Sequence, residues 1–178
     1  MQNSPSFKST ASTYGLTLGI ILVLFFILIY TFNLELITKW WLKLVEFFLI
    51  IVIALVGMSK CKKAFNGTFT YKYSFTSYFI IIVIGLSIYT LSSYLLFNFI
   101  DPDAAQYVLD ETIRMTRNMM EGFGAPESEI DKAIAKMESE NQFSLSNQIM
   151  GLAITLIFYS VIGLLLALIF REKDTTAA

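Results

Sequence analysis

Three long stretches of this chain carry no charge: Ser9 to Leu34, Tyr73 to Ile100 and Asn141 to Phe170. Each is dominated by Leu, Ile, Phe and Val, and each exceeds the roughly 20 apolar residues a helix needs to cross a bilayer. The pattern predicts transmembrane helices over about 13–32, 77–99 and 146–170. A fourth apolar stretch is interrupted. Only Phe47 to Ser59 lacks charge, about 20 Å of helix at 1.5 Å per residue. To span, this helix has to begin near Trp40 and take Lys43 and Glu46 with it, covering about 40–59. The first run is too long for a signal-peptide core, and Phe32-Asn33-Leu34-Glu35 offers no small-residue cleavage site. It reads as a retained span.

Between the third and fourth spans the pattern changes. Asp101-Pro102-Asp103 is a helix start: Asp101 can accept from free backbone N–H groups, Pro102 suits the first helical position and Asp103 the positive end of the dipole. Ala105, Val108, Leu109, Thr112, Met115, Thr116 and Met119 then recur at helical spacing. Asp110–Arg114 and Arg117–Glu121 are spaced to pair across one turn. Gly122-Phe123-Gly124-Ala125-Pro126 breaks the helix, and a second one follows with Ile130, Ala133, Ile134 and Met137 on its apolar face. Ser144 or Ser146 can cap the last span. The segment over about 101–141 is therefore a helical hairpin, too small to stay folded alone. It has to lean on the bundle, on a second copy or on a partner. After Asn66-Gly67, the alternation Phe69, Tyr71, Tyr73, Phe75 has period two and suggests a short extended strip with its aromatics at the interface.

Composition sharpens this picture. The chain is 56% hydrophobic and only 15% charged, against roughly 25% charged residues in a water-soluble domain. Its net charge of −1 conceals segregation. Ten acidic and four basic residues leave the stretch from Asp101 to Glu140 at −6 and the remainder at +5. Lys8, Lys60, Lys62, Lys63, Lys72, Arg171 and Lys173 all fall on the side that holds both termini. The positive-inside rule makes that side cytoplasmic, with the acidic hairpin and the interfacial Trp40 and Trp41 outside. Cys61, on the lysine-rich side, offers a thiol-labelling test of the orientation.

Candidate chemistry is sparse. The absence of histidine removes the commonest general base and metal ligand. A single cysteine, Cys61, excludes an internal disulfide and any multi-cysteine metal site. No catalytic constellation, phosphate loop or calcium-loop spacing is present, and the basic residues are too few for a nucleic-acid reader. The expectation is a protein that is not an enzyme and needs no cofactor or metal. Glu35, Lys39, Lys43 and Glu46 fall at helical spacing and form a polar stripe on span two. Lys43 and Glu46 read either as a neutral structural pair facing the bundle or as an intramembrane ion or proton site. Met115, Met119 and Met120 offer adaptable contacts for a partner on the hairpin; a merely solvated cap is the alternative. Ala11, Gly15 and Gly19 on span one, and Gly163 and Ala167 on span four, form small-residue faces for packing within the monomer or between copies. The lysines around Cys61 favour its thiolate, although an inert role needs no second cysteine. The lysine cluster itself is a topology signal and a contact for anionic lipid.

Ser-Phe-Lys-Ser before span one, Lys62-Lys63-Ala64-Phe65-Asn66-Gly67 after span two and Phe99-Ile100-Asp101-Pro102-Asp103 after span three occur in a familiar order. With the Met- and Glu-rich helical pair and the last span, the chain resembles a family of small four-span membrane proteins of unknown function common in Bacteroidetes. The similarity covers nearly the whole chain. It implies a bacterial inner membrane with the hairpin in the periplasm, and it carries over no functional residues. The expectation is one all-α integral membrane domain over 1–178, with four transmembrane helices and an extracytoplasmic helical hairpin between spans three and four. The function expected is a scaffold or accessory protein that binds itself or another membrane protein. The alternative is an oligomeric ion or small-solute transporter with Glu46 as its polar waypoint.

Overall fold

The computed structural model describes residues 6–172; Lys173, counted above among the topology lysines, lies outside them. Six helices follow in order: α1 (Phe7–Phe32), α2 (Trp40–Ala64), α3 (Tyr71–Leu95), α4 (Pro102–Gly122), α5 (Glu127–Ser139) and α6 (Leu145–Phe170). Helices α1, α2, α3 and α6 are long and apolar enough to cross a membrane. The protein is an all-α membrane protein with four spans.

Helices α1 and α6 start, and α3 ends, where the sequence supplies a local partner for the exposed backbone groups. Ser6 accepts from the Ser9 N–H at 3.3 Å, so α1 starts about two turns before the apolar run and carries Lys8, Ser9 and Ser12 beyond it. Ser144 caps α6 through the Asn147 N–H. At the end of α3 the backbone widens into a π turn over Leu96–Ile100, closed by the Asp101 N–H donating to the Leu96 carbonyl at 2.8 Å. A residue before proline avoids helical geometry, and the wide turn ends the helix at Asp101. Asn98 fixes it by donating to the carbonyls of Tyr94 and Phe143 at 2.9 and 2.8 Å.

Helix α3 lies at the centre, packed along α1 on one side and α6 on the other, with α2 against α1 and α3. In lipid, apolar contact alone brings no hydrophobic gain, so helices associate through close steric fit. That fit is built on glycine. The Ile84 and Ile88 side chains of α3 sit on Gly15 and Gly19, where an added Cβ would lie 2.8 Å from each isoleucine Cβ. In return, Leu18 of α1 sits on Gly85. Gly57 receives Ile81 and Tyr14 in the same way, and the Tyr78 ring lies flush on Gly163 of α6. Ala11 and Ala167 are also fully buried. The core that results includes Leu18, Leu22, Ile50, Ala54, Met58, Tyr78, Ile81 and Ile82.

Three local expectations are corrected. The aromatic alternation after Asn66-Gly67 is not an extended strip: α3 begins at Tyr71, and Phe69 is buried. Phe65 packs edge-on against Phe69 and at a tilt against Tyr73, and Phe7 of α1 meets Phe65 and Tyr73 edge-on. Packing against α1 outweighs the local period of two. The polar stripe of span two is broken, because the Asn33 side chain accepts from the Glu35 N–H and starts a 3-10 turn over Leu34–Thr38. Lys39 is extended and α2 starts only at Trp40. The stripe becomes two separate ion pairs, Glu35–Lys39 in the turn and Lys43–Glu46 on the helix. Finally, Arg114 turns back to Glu111 at 2.6 Å, while Asp110 accepts from Gln106. Arg117 pairs with Glu121 at 3.8 Å, as its spacing predicts, and also reaches Glu127 at 2.9 Å and Asp131 at 3.4 Å on α5. A bridge between helices satisfies Arg117 better than its own turn does, and it ties α4 to α5.

Helix α4 leans on the end of the bundle. Ala104 and Val108 join Phe26, Leu96 and Phe97 in a second small core, flanked by Leu34, Ile37 and Phe143. Asp101 holds the junction: it accepts from the Ala104 N–H at 3.0 Å and from the Tyr30 hydroxyl of α1 at 2.5 Å. The Tyr30 hydrogen bond, reinforced by the Ala104 N–H, holds the Asp101 carboxyl below its ordinary pKa. At the opposite end, Glu172 clasps the α2–α3 loop. Its carboxylate accepts from the Phe69 N–H at 2.9 Å and its own N–H donates to the Phe69 carbonyl at 2.9 Å. The Phe69 N–H and then Lys62, 3.2 Å away, lower the Glu172 pKa.

Candidate functional site

Helices α2 and α6 barely touch, and between them, with α3 as the back wall, lies a groove of about 400 Å³. It opens in the half of the bundle that carries α4 and α5. Lys43 and Glu46 of α2 stand at its mouth, 3.0 Å apart. The lysine side chain is 58% exposed and the glutamate 16%. Glu46 lies six residues into α2, about 9 Å along the axis. At that depth an unpaired carboxylate would be costly, and Lys43 neutralises it. Tyr89 and Thr90 of α3, and Gln148 and Thr155 of α6, add polar groups along the walls. The floor is apolar. Phe47 stacks on Tyr159 with ring centroids 6.0 Å apart, and Ile50, Leu86 and Tyr159 close the bottom.

The α6 wall of this groove is absent from the sequence expectations, although it left a trace. Gln148, Gly151, Thr155 and Tyr159 recur at helical spacing on a predominantly apolar helix. Gly151 lines the groove and faces open space, since a Cβ added there would meet nothing within 4 Å.

The other candidates lie elsewhere. Gly15, Gly19, Gly163 and Ala167 are covered by α3 or buried in the bundle, as described above. Met115 and Met119 lie on the exposed side of α4, 46% and 56% exposed, and lead to Phe123 at 85%. Met120 is half-buried and stands apart from that edge. Cys61 is fully buried and its thiol donates to the Phe7 carbonyl at 3.5 Å. It is a packing residue, sealed from the lysines beside it in sequence and unsuited to report orientation by surface labelling. Among the described residues, no group of three His, Cys, Asp or Glu side chains is placed to hold a metal ion.

A family described as "Protein of unknown function (DUF4199)" has a model that matches residues 13–172. The chain belongs to this family. The match runs from the first turns of α1 to the Glu172 clasp, so it takes in all four spans, the groove and both helices α4 and α5. No curated protein and no solved structure matches the chain.

Proposed function

We propose that the protein is a non-enzymatic accessory protein of the bacterial inner membrane that holds another membrane protein, or a second copy of itself, through the exposed edge of α4. The observation that carries this reading is the run Met115, Met119 and Phe123, apolar and exposed on a segment outside the spans. Flexible thioether side chains adapt to a partner surface. The small-residue faces that could have served self-association are filled by Ile84, Ile88 and Tyr78 of the same chain, which leaves α4 as the stronger contact. Lysines at the far end, Lys60, Lys62, Lys63 and Lys72, support a cytoplasmic location for that end and an extracytoplasmic one for α4 and α5. The transport reading keeps one supporting feature, Glu46 in a groove. The groove ends on Ile50, Leu86 and Tyr159, so transport would need further copies to complete a path.

The test is crosslinking in native membranes from a photoreactive group attached at Met119→Cys, followed by purification. A single adduct of defined mass, lost in the Met115→Asp/Met119→Asp variant, is the expected result. A monomer that yields no adduct would overturn the reading. Because Cys61 is buried, single cysteines at Lys72 and Glu138 report orientation in the same preparations: an impermeant reagent should label Glu138→Cys alone in spheroplasts.

A further inference from the structure

We propose that the groove between α2, α3 and α6 is a binding site for one zwitterionic aminophospholipid, with an acyl chain along its apolar wall and the headgroup at Lys43 and Glu46. The inference is independent of the α4 contact. It rests first on length. The mouth lies three residues into both helices, at Lys43 of α2 and Gln148 of α6, and the floor lies at Ile50, Leu86 and Tyr159. Ile50 is ten residues into α2, about 15 Å along the axis. A hydrocarbon core is about 30 Å thick, so the groove runs from the interface to the midplane, the depth of one leaflet.

The second argument is size. A volume of about 400 Å³ sits at the lower end of the roughly 300–1,000 Å³ typical of small-molecule sites. It takes an extended hydrocarbon chain, whereas a helix about 10 Å across with its side chains would not enter. The third is the gradient of chemistry along the walls. Charge and amide stand at the mouth (Lys43, Glu46, Gln148), and the deeper walls are mainly rings and aliphatic side chains (Phe47, Ile50, Leu86, Leu152), with the Thr90 and Thr155 hydroxyls among them. A lipid has the same order from headgroup to tail.

Charge complementarity selects the headgroup. The exposed Lys43 ammonium stands at the mouth of the groove, three residues into α2, and its partner Glu46 is 3.0 Å away. A headgroup with one phosphate and one ammonium meets both side chains and leaves the site neutral. An anionic headgroup would leave one negative charge unmatched beside Glu46. Gly151 gives the tail room, since its missing side chain faces empty space rather than a neighbouring helix.

The experiment uses the full chain in nanodiscs doped with phosphatidylethanolamine or phosphatidylglycerol carrying a diazirine in the acyl chain, with crosslinks mapped by mass spectrometry. The expected result is labelling concentrated on Phe47–Ile50 and Leu152–Tyr159, several-fold stronger with the ethanolamine lipid. Gly151→Trp should abolish this labelling without changing thermal stability. Lys43→Met/Glu46→Gln should keep tail labelling and erase the headgroup preference. If Gly151→Trp disturbs folding, judged by gel filtration and circular dichroism, Gly151→Leu is the smaller plug. Labelling no stronger in the groove than at Leu16, Ile20 and Leu24, which are exposed on α1, would overturn the site. Equal labelling by the two lipids would overturn the headgroup assignment, and groove crosslinks to a protein rather than the lipid would overturn both.

Discussion

Two glycines on α6 should respond in opposite directions to the same substitution. At Gly163 an added Cβ falls onto the Cδ1 and Cε1 atoms of Tyr78, a ring that is fully buried and has no room to retreat. At Gly151 the same Cβ meets nothing within 4 Å. Replacing a mid-helix glycine by alanine stabilises by about 0.5–1 kcal/mol through reduced backbone freedom, and this applies at both sites. Overpacking a filled contact costs about 1–3 kcal/mol, and this applies at Gly163 alone. Gly151→Ala should therefore gain up to about 1 kcal/mol, and Gly163→Ala should be neutral to about 2.5 kcal/mol less stable. The difference between them isolates the overpacking penalty, because helix propensity cancels. Reversible unfolding in mixed micelles, followed by the loss of helical circular dichroism as sodium dodecyl sulfate is raised, measures both. Gly163→Ala shifting the midpoint upward as far as Gly151→Ala would refute the claim that α6 is seated through Tyr78 on Gly163.

Two further predictions concern single contacts. The folded-state pKa of Asp101 lies below the unfolded carboxylate value of about 3.9, so its stabilising contribution is present above that value and is lost as pH falls through the folded-state pKa. Spin labels at Phe32→Cys and Asn118→Cys should keep a fixed distance at pH 6 and spread in more acidic samples. With Asp101→Asn the distance should no longer respond to pH, and an unaltered response would show that another group governs the junction. Tyr78 is buried with a hydroxyl that finds no partner among the described residues, and an unsatisfied buried polar group costs about 1–3 kcal/mol. Tyr78→Phe keeps the ring on Gly163 and should raise the unfolding midpoint; a lower midpoint would show that the hydroxyl is bonded in the membrane, through a water for example.

The spans and some of their ends were legible in the chain because lipid leaves backbone groups no solvent partner, so every crossing has to be a helix that satisfies itself locally. Charge-free length therefore located α1, α3 and α6, and Asp101-Pro102 and Ser144 marked boundaries with partners three residues away. Even α2, compromised by Lys43 and Glu46, was recoverable from its start at Trp40. The errors had two sources: a nearer partner intervened, as where Asn33 bonds the Glu35 N–H and Arg114 turns to Glu111, or tertiary packing overrode a local pattern, as where Phe69 and Tyr73 turn onto Phe65, with Phe7 closing on Phe65 and Tyr73.

Sequence alone determined that the chain has four apolar helices long enough to cross a membrane and roughly where each lies. Only the tertiary structure decided which apolar positions face protein and which face lipid, because lipid tails are as apolar as a core and hydropathy does not separate them. Gly151 and Gly163 lie on the same apolar helix. One is filled by Tyr78 and the other opens a groove, and that distinction exists only once α3 lies beside α6.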